Sequence, residues 1–331
     1  MGSPDRVLIT GGAGFVGSHL AEELLSRGHH VTVLDDLSTG CMENLSHVAG
    51  EERLRCLVGS VDDQPLISSL VRDVDVVYHM AAAVGVRLIV EEPLRSLRTN
   101  VMGTEAVLDA ASRHHVRVLI ASTSEVYGKS DRVPFQEDDD IVIGPTVRNR
   151  WAYAAAKIVD EFLALAYRWQ RALPVVVFRL FNTVGPRQTG RYGMVIPRFV
   201  RAALEGRPLT VYGDGRQSRC FLHVGDAVDA IRRLADCPQA EGQVFNVGST
   251  EVVTIQELAE RVLRRTNGLA SPGRITYVPY EAAYPPGFED IRVRMPDISK
   301  IYRFTAWRPT RDLDSILQDV IDFTRQEAEA R

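Results

Sequence analysis

From residue 6 onward, short β-branched and apolar runs alternate with stretches whose apolar positions recur at helical spacing. This is the pattern of strand–helix–strand units building a parallel sheet. The runs at 6–10, 30–35, 54–58, 74–79, 116–122 and 175–180 are near-continuously apolar, as strands covered on both faces should be. Together they predict a doubly wound α/β sheet. Between the first two, Phe15, Val16, Leu20, Leu24 and Leu25 fall at helical spacing over 14–27, and Gly28 supplies the left-handed stop.

Beyond Thr183 the elements shorten and are separated by Gly and Pro, as in GPRQTGRYG at 185–193, Gly213-Asp214-Gly215 and the Tyr-Pro-Pro-Gly of 284–287. A smaller, loop-rich second lobe is expected there. Within it, Thr254 and Glu257 have capping-box spacing ahead of Leu258, Val262 and Leu263, which predicts a helix over 254–266. A last helix is predicted over 311–327. No internal repeat or low-complexity segment breaks the pattern.

Composition narrows the function. The 331 residues are 45% hydrophobic, enough for a substantial core, and carry a net charge of −4. Basic residues are scattered, so neither a nucleic acid nor a membrane surface is the expected partner. A small molecule is. Cys41, Cys56, Cys220 and Cys237 lie far apart with no C-x-x-C pair, which argues against a metal site or a disulfide framework and fits a reducing cytoplasm. No apolar signal core opens the sequence, and no apolar run is long enough to span a bilayer.

The first candidate site is the turn Thr10-Gly11-Gly12-Ala13-Gly14-Phe15-Val16-Gly17, between the first strand and the first helix. Gly11, Gly14 and Gly17 let a backbone approach a pyrophosphate, and the helix N-terminus offers unpaired N–H groups to it. Asp35, at the end of the second strand, can accept from both ribose hydroxyls of an adenosine and would repel a 2′-phosphate. With no arginine in the following Asp36-Leu37-Ser38-Thr39-Gly40, NAD rather than NADP is expected. Either Asp35 or Asp36 could instead cap the loop; Asp35 is the choice for the ribose.

The second is Tyr153-Ala-Ala-Ala-Lys157, which puts a phenol and an ammonium one turn apart on a helix. An ammonium beside a phenol favours the phenolate a general base needs. About 30 residues upstream, a buried strand ends in Ser122-Thr123-Ser124-Glu125, with hydroxyls at the carboxyl edge of the sheet, where ligands bind in this architecture.

The glycine turn, the stretch Ser122-Thr-Ser-Glu-Val-Tyr-Gly128, the Tyr153/Lys157 pair and Arg179-Leu-Phe-Asn182 resemble the extended short-chain dehydrogenase/reductase family over nearly the whole chain. The resemblance implies a Rossmann-type domain with a smaller, interleaved C-terminal substrate-binding domain. On that basis 1–182, with a return at about 220–253, would bind NAD, and 183–331 would mainly bind a nucleotide-sugar. It implies that Thr123 hydrogen-bonds the sugar C4 oxygen, Tyr153 removes its proton, and Lys157 holds the nicotinamide ribose. Phe15, Val16, Ala81 and Asn100 complete the expected cofactor set.

Within the family, Thr123-Ser124-Glu125 and a late arginine before a proline, Arg294, resemble UDP-glucuronate decarboxylases. Ketone formation at C4 makes the C5 carboxylate a β-keto acid, which loses CO₂ readily. The catalytic set is then Thr123, Ser124, Glu125, Tyr153, Lys157 and Arg294, giving UDP-xylose or UDP-4-keto-pentose. Glu125 as a surface cap and Arg292 as the working arginine stay open. So does a 4-epimerase of UDP-glucuronate or UDP-glucose, and after it a 4,6-dehydratase, because the loop at 185–197 departs from the usual decarboxylase form. A non-enzymatic NAD-binding scaffold is disfavoured by the intact Thr123, Tyr153 and Lys157. Asn182, Arg191, Tyr212, Arg219 and Arg294 are the expected substrate-binding residues. The resemblance also implies a homodimer through a four-helix interface made by helices at 100–114 and 152–169.

Overall fold

The computed structural model describes residues 5–83, 93–190, 194–266, 275–283 and 291–329. All six expected strands are present: β1 (Arg6–Thr10), β2 (His30–Asp35), β3 (Leu54–Val58), β4 (Val76–His79), β5 (Arg117–Thr123) and β6 (Val175–Leu180). A seventh, β7 (Val244–Val247), pairs in parallel with β6. The sheet runs β7-β6-β5-β4-β1-β2-β3. Its order reverses beside β1, which leaves a crevice at the carboxyl ends of β1 and β4.

Alternation along the strands explains why they read as apolar. Val7, Ile9, Val31, Val33, Leu119 and Phe178 pack into one core layer, while Leu8, Val77, Val118, Ile120 and Val177 pack into another across the sheet. One expectation is corrected: β3 is not doubly buried. It is an edge strand paired only with β2, and Arg55, Cys56 and Val58 are exposed.

Helix α1 (Phe15–Ser26) follows the glycine turn, and Gly28 adopts the left-handed conformation expected of it, φ 93°. Helix α2 (Gln64–Arg72) leads into β4, and α3 (Pro93–His114) packs against α4 (Ala152–Arg171). A separate apolar layer gathers Ile196, Phe199, Leu209, Leu258, Val262, Ile316 and Leu317. There the helix Ile255–Arg265 starts on the full capping box of Thr254 and Glu257, and the last helix spans Leu313–Glu329. Gly213 and Gly215 both take positive φ in their turn. The Tyr-Pro-Pro-Gly stretch at 284–287 lies outside the described residues.

Candidate active site

At the glycine turn, sterics dictate the sequence. Gly11 has φ 70°, and a Cβ there would stand 2.7 Å from the Ala81 backbone nitrogen. A Cβ on Gly17 would overlap the Gly11 carbonyl oxygen. Gly14, Phe15, Val16 and Ala81 line the same cavity of about 420 Å³, which continues along the sheet edge to Thr123, Ser124, Tyr153 and Lys157.

Asp35 ends β2 inside this cavity, nearly buried. Its Oδ2 accepts from Ala13 N at 3.0 Å and its Oδ1 from Leu37 N at 2.8 Å. Burial pushes its carboxyl up, and those two N–H groups oppose that. A carboxylate has lone pairs beyond these two bonds, so hydroxyls can still be accepted. Asp36 is exposed and accepts from Ser38 N at 2.9 Å, so both aspartates cap this loop and Asp35 is the buried one. Asn100 is not among the cavity-lining residues; it sits fully buried behind the wall and fixes Ala83 by accepting its N–H at 2.9 Å.

Thr123 leaves the end of β5 and caps the short turn Ser124–Tyr127. Its hydroxyl lies beside that of Tyr153, which is 7% exposed. The expected easing of the phenol is absent in the protein alone. Burial drives the Tyr153 hydroxyl up, Glu125 and Asp160 push it the same way, and only the neighbouring Thr123 hydroxyl opposes them. Beside it Lys157 Nζ is 3.1 Å from Asp160 Oδ2, a buried ion pair.

Glu125 is no surface cap. Its carboxylate is held between Arg294 Nη1, at 2.7 Å, and Arg150 Nη1, and all three side chains are largely buried. Burial would raise its carboxyl, but the two guanidiniums outweigh it and bring it down to about 2. Arg292 is exposed, whereas Arg294 lies in register with Arg219 on a short parallel pair. Arg150 went unnoticed in the sequence. Its position three residues before Tyr153, in the turn that leads into α4, is the signal that could have found it.

Glu125, Arg150, Asn182 and Arg294 also line a second cavity of about 210 Å³. Tyr212 and Arg219 line it too. Asn182, at φ 36°, donates to the Cys220 carbonyl at 3.0 Å. Arg219 Nη1 donates to the Ser218 and Ile291 carbonyls, both at 2.8 Å. A further arginine not foreseen, Arg198, donates to the Tyr212 hydroxyl at 2.8 Å and covers its ring. Arg191 lies outside the described residues.

Behind the site a third charged group is self-contained. Glu161 takes Arg179 through both oxygens, at 2.9 and 2.7 Å, and the Ser122 hydroxyl at 2.5 Å. Arg179 also donates to the Tyr127 hydroxyl, which donates to Asn246 on β7 at 2.7 Å. The group ties β5, β6, β7 and α4 together, and Ser122 is its member on the cavity wall.

A glycine cradle, an acidic residue at the next strand end and a Thr–Tyr–Lys set, on a parallel sheet of this order, meet one more observation. Residues 7–248 match the model of the NAD dependent epimerase/dehydratase family. The chain belongs to this family. Its cofactor is NAD, which the turn fits: side chains at Gly11 and Gly17 would fill the cradle, and no cation stands among Asp35, Asp36, Ser38 and Thr39 at the far end of the cavity.

Among relatives in the family, UDP-N-acetyl-α-D-glucosaminuronate decarboxylase of Bacillus cytotoxicus is 43% identical, over 97% of this chain and 98% of its own. UDP-glucuronic acid decarboxylase 1 of Danio rerio is 36% identical over 98% of this chain and 73% of its own. The crystal structure of UDP-glucuronic acid 4-epimerase from Bacillus cereus, in complex with UDP-glucuronic acid and NAD, superposes with a TM-score of 0.86 at 27% identity. It covers 97% of this chain and 99% of that one. Among the described residues, no helix is long and apolar enough to cross a membrane.

Proposed function

We propose that this family member decarboxylates a UDP-hexuronate, UDP-glucuronate in the first instance, to UDP-xylose or UDP-4-keto-pentose. The observation that carries the reading is Glu125 bound between Arg150 and Arg294, beside Thr123 and Tyr153, where the two cavities meet. The described groups at this junction are two guanidiniums to one carboxylate. A hexuronate brings the second carboxylate that evens the count, and a neutral hexose does not.

NAD supplies the hydride acceptor for C4 and the donor for the return. Thr123 and Tyr153 hold the C4 hydroxyl between them, and Tyr153 takes its proton as the ketone forms. Lys157 holds the nicotinamide ribose. Arg294 and Arg150 grip the C5 carboxylate until it leaves as CO₂. Glu125 acts as a fixed acceptor and orienting group, since a carboxyl held near 2 carries no proton at neutral pH; Ser124 lines the wall beside it. Asn182, Arg219 and Tyr212 receive the nucleotide diphosphate, with Arg191 as a further anion contact. The cofactor portion is residues 1–182 with the return at about 220–253, and 183–331 mainly serves the sugar nucleotide.

Two further assignments belong to this reading. A homodimer forms through α3 and α4, supported by Leu94, Met102, Val159, Phe162 and Trp169, which are apolar and exposed there. Cytoplasmic residence is supported by four free cysteines.

The 43% relative supports a second substrate, the 2-acetamido hexuronate of its name, and the Bacillus cereus structure supports C4 inversion without carbon loss. One assay separates all three. Purified protein is incubated with NAD and either UDP-glucuronate or UDP-N-acetylglucosaminuronate, and nucleotide-sugar mass is followed. Loss of the mass of CO₂ from one of them establishes decarboxylation and names the substrate. An unchanged mass with an inverted C4 would make the chain an epimerase.

A further inference from the structure

Asp160 is buried on every side, yet no step above uses it. It lies one turn after Lys157 on α4, with Oδ2 3.1 Å from the ammonium. Neither its oxygens nor Lys157 Nζ makes a well-directed hydrogen bond to a described residue, so charge holds the pair. Burial raises its carboxyl, and the Lys157 ammonium and, after it, the Thr104 hydroxyl oppose that.

The contacts continue inward. Thr104 Oγ1 is 3.0 Å from His79 Nε2, and His79 Nδ1 is 2.8 Å from Thr10 Oγ1, which accepts from Ala81 N at 3.3 Å. Thr10, His79 and Thr104 are all buried, and burial holds His79 down at about 3, hence neutral. Thr104, His79 and Thr10 thus form one buried hydrogen-bonded chain from the neighbourhood of Asp160 to the glycine turn.

A fixed charge beside a nicotinamide selects between its two forms, because the oxidised ring is cationic and the reduced ring neutral. Lys157 alone would favour the reduced form; an anion against it cancels that bias. We propose that Asp160 is a positioning residue that balances Lys157 and thereby sets how readily the bound nicotinamide returns its hydride to the C4 ketone. The inference rests on the placement of the ring beside Tyr153 and Lys157 given above. It also assigns Asp160 a part in product choice: the hydride leaves C4 with two electrons, and its return decides between UDP-pentose and released 4-keto sugar plus NADH.

The test compares affinities of the full chain for NAD⁺ and NADH at pH 6.5, by calorimetry, in wild type, Asp160→Asn, Thr104→Val and Lys157→Met. Asp160→Asn shifts the ratio about tenfold toward NADH, which is about 30 mV for a two-electron couple, and raises the share of 4-keto product. Asp160→Ser gives the same sign and stands in should the amide not fold. Thr104→Val disturbs the same buried neighbourhood but leaves the Lys157 and Asp160 side chains in place, so its ratio stays within about twofold of wild type. An unmoved ratio in the folded Asp160 variants, or an equal shift in Thr104→Val, overturns the proposal. If Lys157→Met leaves both affinities at wild-type values, the placement of the ring fails and takes the proposal with it.

Discussion

Two buried charge clusters flank Tyr153, and they are built on opposite principles. Lys157 and Asp160 form a one-to-one pair within a single turn of helix. Across the phenol, Arg150 and Arg294 share the one carboxylate of Glu125, drawn from segments far apart in the chain. Buried ion pairs add little net stability, and breaking one by removing a partner costs about 3–5 kcal/mol. Stability is therefore a poor reason for either cluster. The balanced pair suits a cofactor whose ring gains and loses charge within each turnover. The unbalanced one suits a substrate that arrives with a carboxylate and departs without it.

Tyr153→Phe breaks what the two clusters serve in common and has the largest expected effect: CO₂ release falls about 10³-fold with NAD content unchanged. A fall of less than about tenfold would show that another base does the work.

Arg150→Met and Arg294→Met each remove the cation excess. The KM for UDP-glucuronate should rise about a hundredfold, a loss of ~3 kcal/mol, while inhibition by UDP-glucose barely changes. Equal weakening toward both nucleotides would mean that these arginines hold the diphosphate.

Glu125→Gln sharpens the comparison through pH. The Glu125 carboxyl falls from 4.5 to about 2 on folding, so its contribution, about 3 kcal/mol, is complete above the unfolded value and is lost as pH falls toward the folded one. Urea midpoints should therefore show a deficit for the variant at neutral pH that shrinks below about pH 4.5. A deficit independent of pH would assign the loss to packing. The smallest change, Thr254→Ala, opens a capping box remote from both clusters; it should cost about 1 kcal/mol in denaturation and leave turnover alone.

What could be read from the sequence was local. Gly11, Gly14 and Gly17, the Tyr153/Lys157 spacing and the Thr254/Glu257 box each act over a few residues, and the structure places each where its spacing implies. Arg294 was found only through a family resemblance, because its contact with Glu125 spans 169 positions and no local pattern marks it. Asp160 stands at helical spacing from Lys157, but periodicity does not say whether a polar pair on a helix faces water or a core. β7 was missed as a strand since four residues give alternation too little length to show. β3 misled because its Arg55 and Cys56 sit among apolar neighbours, and edge position depends on pairing alone.

That seventh strand has a consequence for biosynthesis. The sheet's outer strand and the Asn246 that caps the Tyr127 hydroxyl come from residues 244–247, long after β6. A chain emerging from the ribosome with its first six strands complete still carries an unpaired β6 edge and a buried network missing its last acceptor. Native pairing in this region must wait for synthesis to pass Val247, and an open edge held for that time is a template for misassociation. The nascent chain is most in need of shielding in that interval.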